Sequence, residues 1–429
     1  MNHLAFLPLY LFYIILFVFA ISTASFFKIE KLNAQHLTIF FFLKVLGGIA
    51  LTLIYTCYYT DQSKADIYRF FNDSKVISSV LYHNKLAWFK IVSGIGTYDD
   101  DAFAYLVHTQ YFSHPAADFA TSNSFLIRFI SVLNFFSCSN IYIDTLFFDF
   151  ITFSSLVLLY RPLQAFFPQS EKFLRLPLFL IPSVIFWSSG LLKEPLLITG
   201  ISVYLYIWLS AGSRQIWVTL IWLLLALIFI SLLKIYAGGI LVLCSLFLPF
   251  NKSFTSLPYP VARRLALFLV IIAGGWYFLS PKFCEKIIHK RDEFVLLSIT
   301  EKSGSALDMQ MSEPDCQHML SLVPSGLVNA IFRPFVWEGG KLFQKLFGFE
   351  TLVMFVFIAV LFTCFKIPDS KKLSLALFFL SFALLNYLMI GLTIPVLGAI
   401  VHYRITSIMF FLIGILMLTD LPKLQSKFA

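Results

Sequence analysis

FWSSGLLKEPLLI, residues 186–198, sets a lysine, a glutamate and a proline in a run that is otherwise almost wholly apolar from Leu176 to Leu209. Lipid solvates neither charge, and each costs a few kcal/mol at the centre of a bilayer. An uninterrupted membrane helix through Lys193 and Glu194 therefore makes sense only if the pair has a task. The other reading is a short turn at a membrane surface. Choosing between them requires the topology of the whole chain.

Composition decides the class. Of the 429 residues, 59% are hydrophobic and 13% charged, with 51 Phe, whereas a soluble globule is about half apolar and about a quarter charged. Apolar runs long enough to span recur along the whole chain, which points to an all-α, polytopic helical membrane protein and away from a barrel, whose strands would alternate in polarity. Residues 1–429 read as a single integral membrane domain. Met1 to Phe27 has no Lys or Arg ahead of its apolar stretch and no clear small-residue cleavage site, so it reads as a retained first span. Ten further spans are expected near 36–58, 140–160, 176–190, 195–210, 215–233, 236–250, 265–280, 347–365, 373–392 and 395–418, about eleven in all. The shorter stretch 124–138, which carries Arg128, reads as an interfacial or re-entrant helix.

Basic residues orient these spans. The segments 28–35, 161–175, 211–214, 251–264, 366–372 and 419–429 hold 14 Lys and Arg against 4 acidic residues, which marks them as cytoplasmic. The long loop 59–123, with 5 basic and 7 acidic residues, and the loop 281–345, with 8 of each, fall outside. The N-terminus is then outside and the C-terminus cytoplasmic, as expected for a bacterial inner membrane protein. The net charge of +9 reflects anchoring to anionic membrane lipid, and no nucleic-acid partner is expected.

On this topology Lys193 and Glu194 lie at the outer face, and Pro195 suits the first turn of the returning helix. Arg128, Lys234, Arg333 with Glu338, and His402 with Arg404 lie near outer helix ends too. Each alone reads as a snorkelling side chain or a helix cap; their convergence on one face is what suggests a site. The first outer loop supplies carboxylates. Asp66, Arg69 and Asp73 fall at i, i+3 and i+7, sharing one face of an amphipathic helix whose other positions, Ile67, Phe70, Phe71 and Val76, would rest on the bilayer. A carboxylate there can act as general base on an acceptor hydroxyl or hold a divalent cation, the one cofactor the pattern admits. Asp99, Asp100 and Asp101 read as the cap of a helix from Ala102 to Tyr111.

No phosphate loop, dinucleotide fingerprint, HExxH or paired CxxC is present, and His83, His108 and His114 read as solvated loop residues rather than metal ligands. Cys284 and Cys316 share the loop 281–345; in an oxidising compartment a disulfide between them would close 31 intervening residues and stabilise by about 3 to 4 kcal/mol.

FWSSGLLKE at 186–194, FRPFVWE at 332–338 and GAIVHYR at 398–404, together with the acidic first outer loop, resemble bacterial polytopic proteins related to the GT-C glycosyltransferases. The resemblance covers most of the chain. It implies many spans, a catalytic acid in the first outer loop and a polyprenyl-phosphate-linked sugar or oligosaccharide as substrate. The acid maps onto Asp66, but an extra N-terminal span and the lack of an Asp-x-Asp pair keep Asp61 and Asp73 as alternatives. Lys193, Arg333 and Arg404 would neutralise the departing phosphate, held in place by Glu194 and Glu338, with Arg69, Arg128, Lys234 and His402 lining the substrate. Three rival readings remain: a polysaccharide polymerase acting on the same kind of carrier, a non-catalytic assembly protein for envelope polymers, and a transporter. A transporter would need charges at mid-membrane depth, for which only Asp149 and Lys44 are candidates, and Lys44 reads as close enough to the inner face to snorkel.

Overall fold

Ala34–Tyr58 is apolar and free of proline, and its 25 residues reach past the roughly 30 Å of a bilayer's hydrocarbon at about 1.5 Å per residue; it forms one unbroken helix. A computed structural model describes residues 3–58, 65–112, 122–210, 216–248, 280–300, 305–307, 316–338 and 342–428. Within them the chain is all-helical, with only isolated antiparallel bridges in place of strands. In chain order the α-helices are α1 (Leu7–Thr23), α2 (Ala34–Tyr58), α3 (Asp66–His83), α4 (Lys85–Ser93), α5 (Asp100–Phe103), α6 (Ser122–Ser137), α7 (Ile141–Gln164), α8 (Pro182–Trp187), α9 (Lys193–Leu209), α10 (Ile216–Leu233) and α11 (Ile235–Ser245). After these come α12 (Pro281–Thr300), α13 (Cys316–Ser321), α14 (Val323–Phe332), α15 (Leu342–Phe362), α16 (Ser370–Thr393), α17 (Leu397–Tyr403), α18 (Ile405–Met417) and α19 (Leu421–Phe428).

Among the described residues four helices are long and apolar enough to cross a membrane, namely α2, α7, α15 and α16, or five if α17 and α18, bent by 53°, count as one span. The expected span 176–190 is broken. Pro177 and Pro182 lack an N–H, and the chain makes a π-helical turn at Leu176–Leu180, the short α8 and then a turn at 188–192. The expected span 265–280 lies outside the described residues apart from its last position.

The chain packs as two compact units, one of Met1–Pro162, Ile185–Trp208 and Leu220–Gly238, the other of Leu163–Val184, Leu209–Thr219 and Gly239–Ala429. In the first, aromatic rings join α1, α2 and α7: Phe17 stacks on Phe150 at 4.1 Å and meets Phe41 edge-on at 6.3 Å. The helix α3 buries Ile67, Phe70, Phe71, Ile77 and Val80 and packs along α6, where Asn134 donates to Ser74 Oγ at 3.0 Å. Of the apolar positions of α3 expected to rest on lipid, Ile67, Phe70 and Phe71 are thus buried by protein and Val76 is half-buried, since a neighbouring helix was available to cover them. The acidic run departs from expectation as well. Helix α5 is a single turn whose N-cap residue Asp99 makes no side-chain cap; Asp99 and Asp101 instead hold Lys90 at 2.9 and 2.8 Å.

In the second unit, α16 packs along both α18 and α14. Gly326 and Gly391 let the backbones of α14 and α16 touch, for a Cβ on Gly326 would lie 3.1 Å from the Gly391 carbonyl. The chain at Ser305–Leu307 pairs with the end of α16, Leu307 N–H donating to Pro395 O at 2.6 Å and Leu397 N–H to Ser305 O at 3.0 Å. A disulfide between Cys284 and Cys316 ties α12 to α13. The loop 281–345, expected as an outer loop, contains a buried element: Ala330 of α14 and Leu307 share a core with Ala383, Tyr387 and Ile390 of α16.

Candidate functional site

The SSGLL segment, 188–192, is a turn because Gly190 adopts φ +116°, which an L side chain rarely takes, and because a Cβ there would press within 2.8 Å of Leu51 Cδ2. Ile67 Cδ1 lies just beyond, at 3.9 Å from the same point, so the turn sits between α2 and the first turn of α3. Lys193 starts α9 and Pro195 falls in its first turn, as expected. The Lys193 ammonium donates to Ser122 Oγ at 2.6 Å, at the first residue of α6. Behind it, Lys234 donates to Glu194 Oε1 at 2.7 Å in a pair whose side chains are 9% and 2% exposed. Glu194 thus holds a lysine from beyond α9, while Lys193 reaches the start of α6.

Asp66 lies exposed in the first turn of α3, where a carboxylate is favoured by the free N–H groups. Arg69, one turn on, hydrogen-bonds the Tyr111 hydroxyl; burial and then the charge of Asp66 push that phenol up to about 12. Asp73 is different. It is 3% exposed, and its carboxylate accepts from the backbone N–H of Gln110 at 3.0 Å and of Tyr111 at 2.9 Å. Arg128 on α6 donates to Thr97 Oγ1 at 3.1 Å and lies over the Phe112 ring, 5.5 Å from its centre. Asp73 and Arg128 therefore fasten the segment 94–112 over α3 and α6, which places Tyr111 near Asp66.

Four further candidates lie in the second unit. Arg333 pairs with Glu338, whose Oε2 accepts from Phe335 N–H at 3.1 Å, and Arg333 Nη1 donates to Asn329 Oδ1 at 3.2 Å. Arg404 sits at the bend between α17 and α18, 3% exposed. Its guanidinium donates to the carbonyls of Ala330, Ile331 and Arg333 at 3.3, 3.3 and 2.6 Å and to Thr351 Oγ1 at 2.6 Å, so it closes the C-terminal end of α14 with a cation. His402 stacks on Tyr403 at 4.9 Å, both half-buried.

In the first unit, then, the turn before Lys193 lies between the C-terminal half of α2 and the start of α3, Lys193 reaches the start of α6, and Asp66 and Arg69 share Tyr111. Asp61 and His114 lie outside the described residues. Sequence reasoning missed Tyr111 and Ser122, which no local motif marks. It also misjudged Lys44, which does not snorkel: at 4% exposure its ammonium donates to Ser188 O at 2.6 Å, Ser188 Oγ at 2.7 Å and Ser189 Oγ at 3.3 Å. Among the described residues no group of three or more His, Cys, Asp or Glu could hold a metal ion. No family model, no curated protein and no solved structure matches the chain.

Proposed function

We propose that this chain is a GT-C-like glycosyltransferase of a bacterial inner membrane, with about eleven spans, N-terminus outside and C-terminus cytoplasmic. It moves a sugar from a polyprenyl-phosphate-linked donor to an acceptor at the outer face during cell-envelope glycan assembly. One observation carries the reading: an exposed carboxylate, Asp66, and an ammonium, Lys193, belong to elements that meet along the C-terminal half of α2, with Gly190 against Leu51 and Ile67 and Lys193 on Ser122. A lipid-linked sugar presents its phosphate at headgroup depth, where transfer needs a cation for the departing phosphate and a base for the acceptor hydroxyl. Lys193 supplies the cation and Asp66 the base. Arg69 and Tyr111 flank Asp66 and orient the acceptor. The amphipathic first outer loop forms the roof of this site, and Trp337, 81% exposed, belongs to the interfacial aromatic belt.

Mass spectrometry of the lipid-linked saccharides in a strain lacking this chain tests the reading. Saccharides short of one sugar are the expected result. Accumulation of complete single repeat units would assign a polymerase, and an unchanged pool would remove glycan transfer altogether.

A further inference from the structure

The transfer chemistry leaves three ionisable groups of the first unit unused: Lys44 on α2 and Asp144 and Asp149 on α7, which are 4%, 0% and 1% exposed. Both helices are among those able to cross a membrane. Lys44 lies ten residues from the start of α2 and fourteen from its end, roughly 15 and 21 Å, so its charge is held at mid-depth. There its ammonium makes its hydrogen bonds to the neutral oxygens of Ser188 and Ser189. Asp149 faces Lys44 from α7, with Ser189 of the turn beside its carboxylate and Tyr10 of α1 within electrostatic reach. Asp149 Oδ1 is buried with no hydrogen-bond partner, and its Oδ2 occupies the space left by the missing side chain of Gly48. Asp144 lies near Ser137 of α6, and both of its carboxylate oxygens are buried with no hydrogen-bond partner.

We propose that Asp149, set against Lys44 and Ser189, is a proton-binding site inside the membrane-spanning part of this protein. A buried carboxylate oxygen without a donor is expensive at this depth, and a proton on Oδ1 neutralises it at once. A metal ion does not fit: the neighbouring ammonium repels it, and a divalent cation asks for about six oxygens where one carboxylate and a few hydroxyls are present. The step is simple. An O–H bond forms at Asp149 with a proton drawn from water, and nothing is oxidised or reduced. Ionised, Asp149 balances Lys44; protonated, it leaves Lys44 as a lone charge gripping Ser188 and Ser189, so proton occupancy is linked to the turn that precedes Lys193. This inference is independent of the transferase reading.

Infrared spectroscopy of the full chain in lipid nanodiscs tests it at about pH 7, where solvated carboxylates with pKa near 4 are ionised. The wild type is expected to show a protonated-carboxyl C=O band that moves in heavy water. Asp149→Asn should lose the Asp149 component of that band, and Asp144→Asn should keep that component. Asp149→Glu should retain it at a displaced frequency, which separates loss of the group from loss of the fold. Superimposable carboxyl bands in the wild type and Asp149→Asn would overturn the proposal and leave Lys44 as a staple for the turn.

Discussion

Asp66 and Asp73 stand two turns apart on α3, and their surroundings assign them different work. Asp66 is exposed, whereas Asp73 is buried under the backbone of Gln110 and Tyr111. Asp73→Ala strips two buried N–H groups of their acceptor and should cost about 1 to 3 kcal/mol, read as a lower unfolding temperature in detergent. Asp66→Asn should leave that temperature where it is; a drop of the same size in both would refute the distinction. Burial pushes the Asp73 carboxyl above the usual carboxylate range, and the two N–H donors pull it part of the way back. Its folded-state value therefore exceeds the unfolded one, so its titration supports folding fully below about pH 4 and that support is lost as pH rises through the folded value. Asp73→Asn, which cannot ionise, should flatten the corresponding part of the stability profile from about pH 4 upward; an unchanged slope would contradict the assignment. The helical spacing put Asp66, Arg69 and Asp73 on one face, and that much was legible. The partner of Asp73 lies 37 residues downstream, and no local pattern announces it.

At the scale of elements, the turn 188–192 and the helix it starts are held by charges that hydropathy counts only as penalties. Glu194 and Lys234 form a nearly dry pair. Glu194→Ala should cost about 3 to 5 kcal/mol, because Lys234 loses its carboxylate at low dielectric, while Glu194→Leu with Lys234→Leu should be close to neutral. A double variant as unstable as the single one would show that the pair is not the stabilising unit. Arg404 has the same character, spending its guanidinium on the end of α14 rather than on open solvent. From sequence, FRPFVWE and GAIVHYR suggested a phosphate site; the structure binds the two motifs to each other, Arg404 donating to the Arg333 carbonyl. Apolar length announced α2, α7, α15 and α16 correctly. It misled at 176–190, where Pro177 and Pro182 were visible but the window of apolar residues outweighed them, and at 323–332, where ten residues are too few to register as a span yet pack against α16 through Gly326.

For the molecule as a whole, the segregation of basic residues is the strongest topological signal, and it depends on no side-chain contact. A cysteine at Ser305 should react with a membrane-impermeant maleimide in intact spheroplasts and one at Ser256 should not. The opposite pattern would move every proposed site residue to the cytoplasm. Orientation matters because the proposed chemistry, sugar transfer by Asp66 and Lys193, takes place at the outer face. The most direct measurement is sugar transfer from a polyprenyl-phosphate donor by the purified chain in nanodiscs. Lys193→Ala should lower turnover by about a hundredfold or more, the loss of roughly 3 to 4 kcal/mol when one oriented charge is taken from a developing anion, with Lys193→Arg recovering part of it. Asp66→Asn should abolish turnover while donor binding survives. Wild-type turnover in both Lys193→Ala and Asp66→Asn would contradict the site and leave FWSSGLLKE as a polar turn between helices.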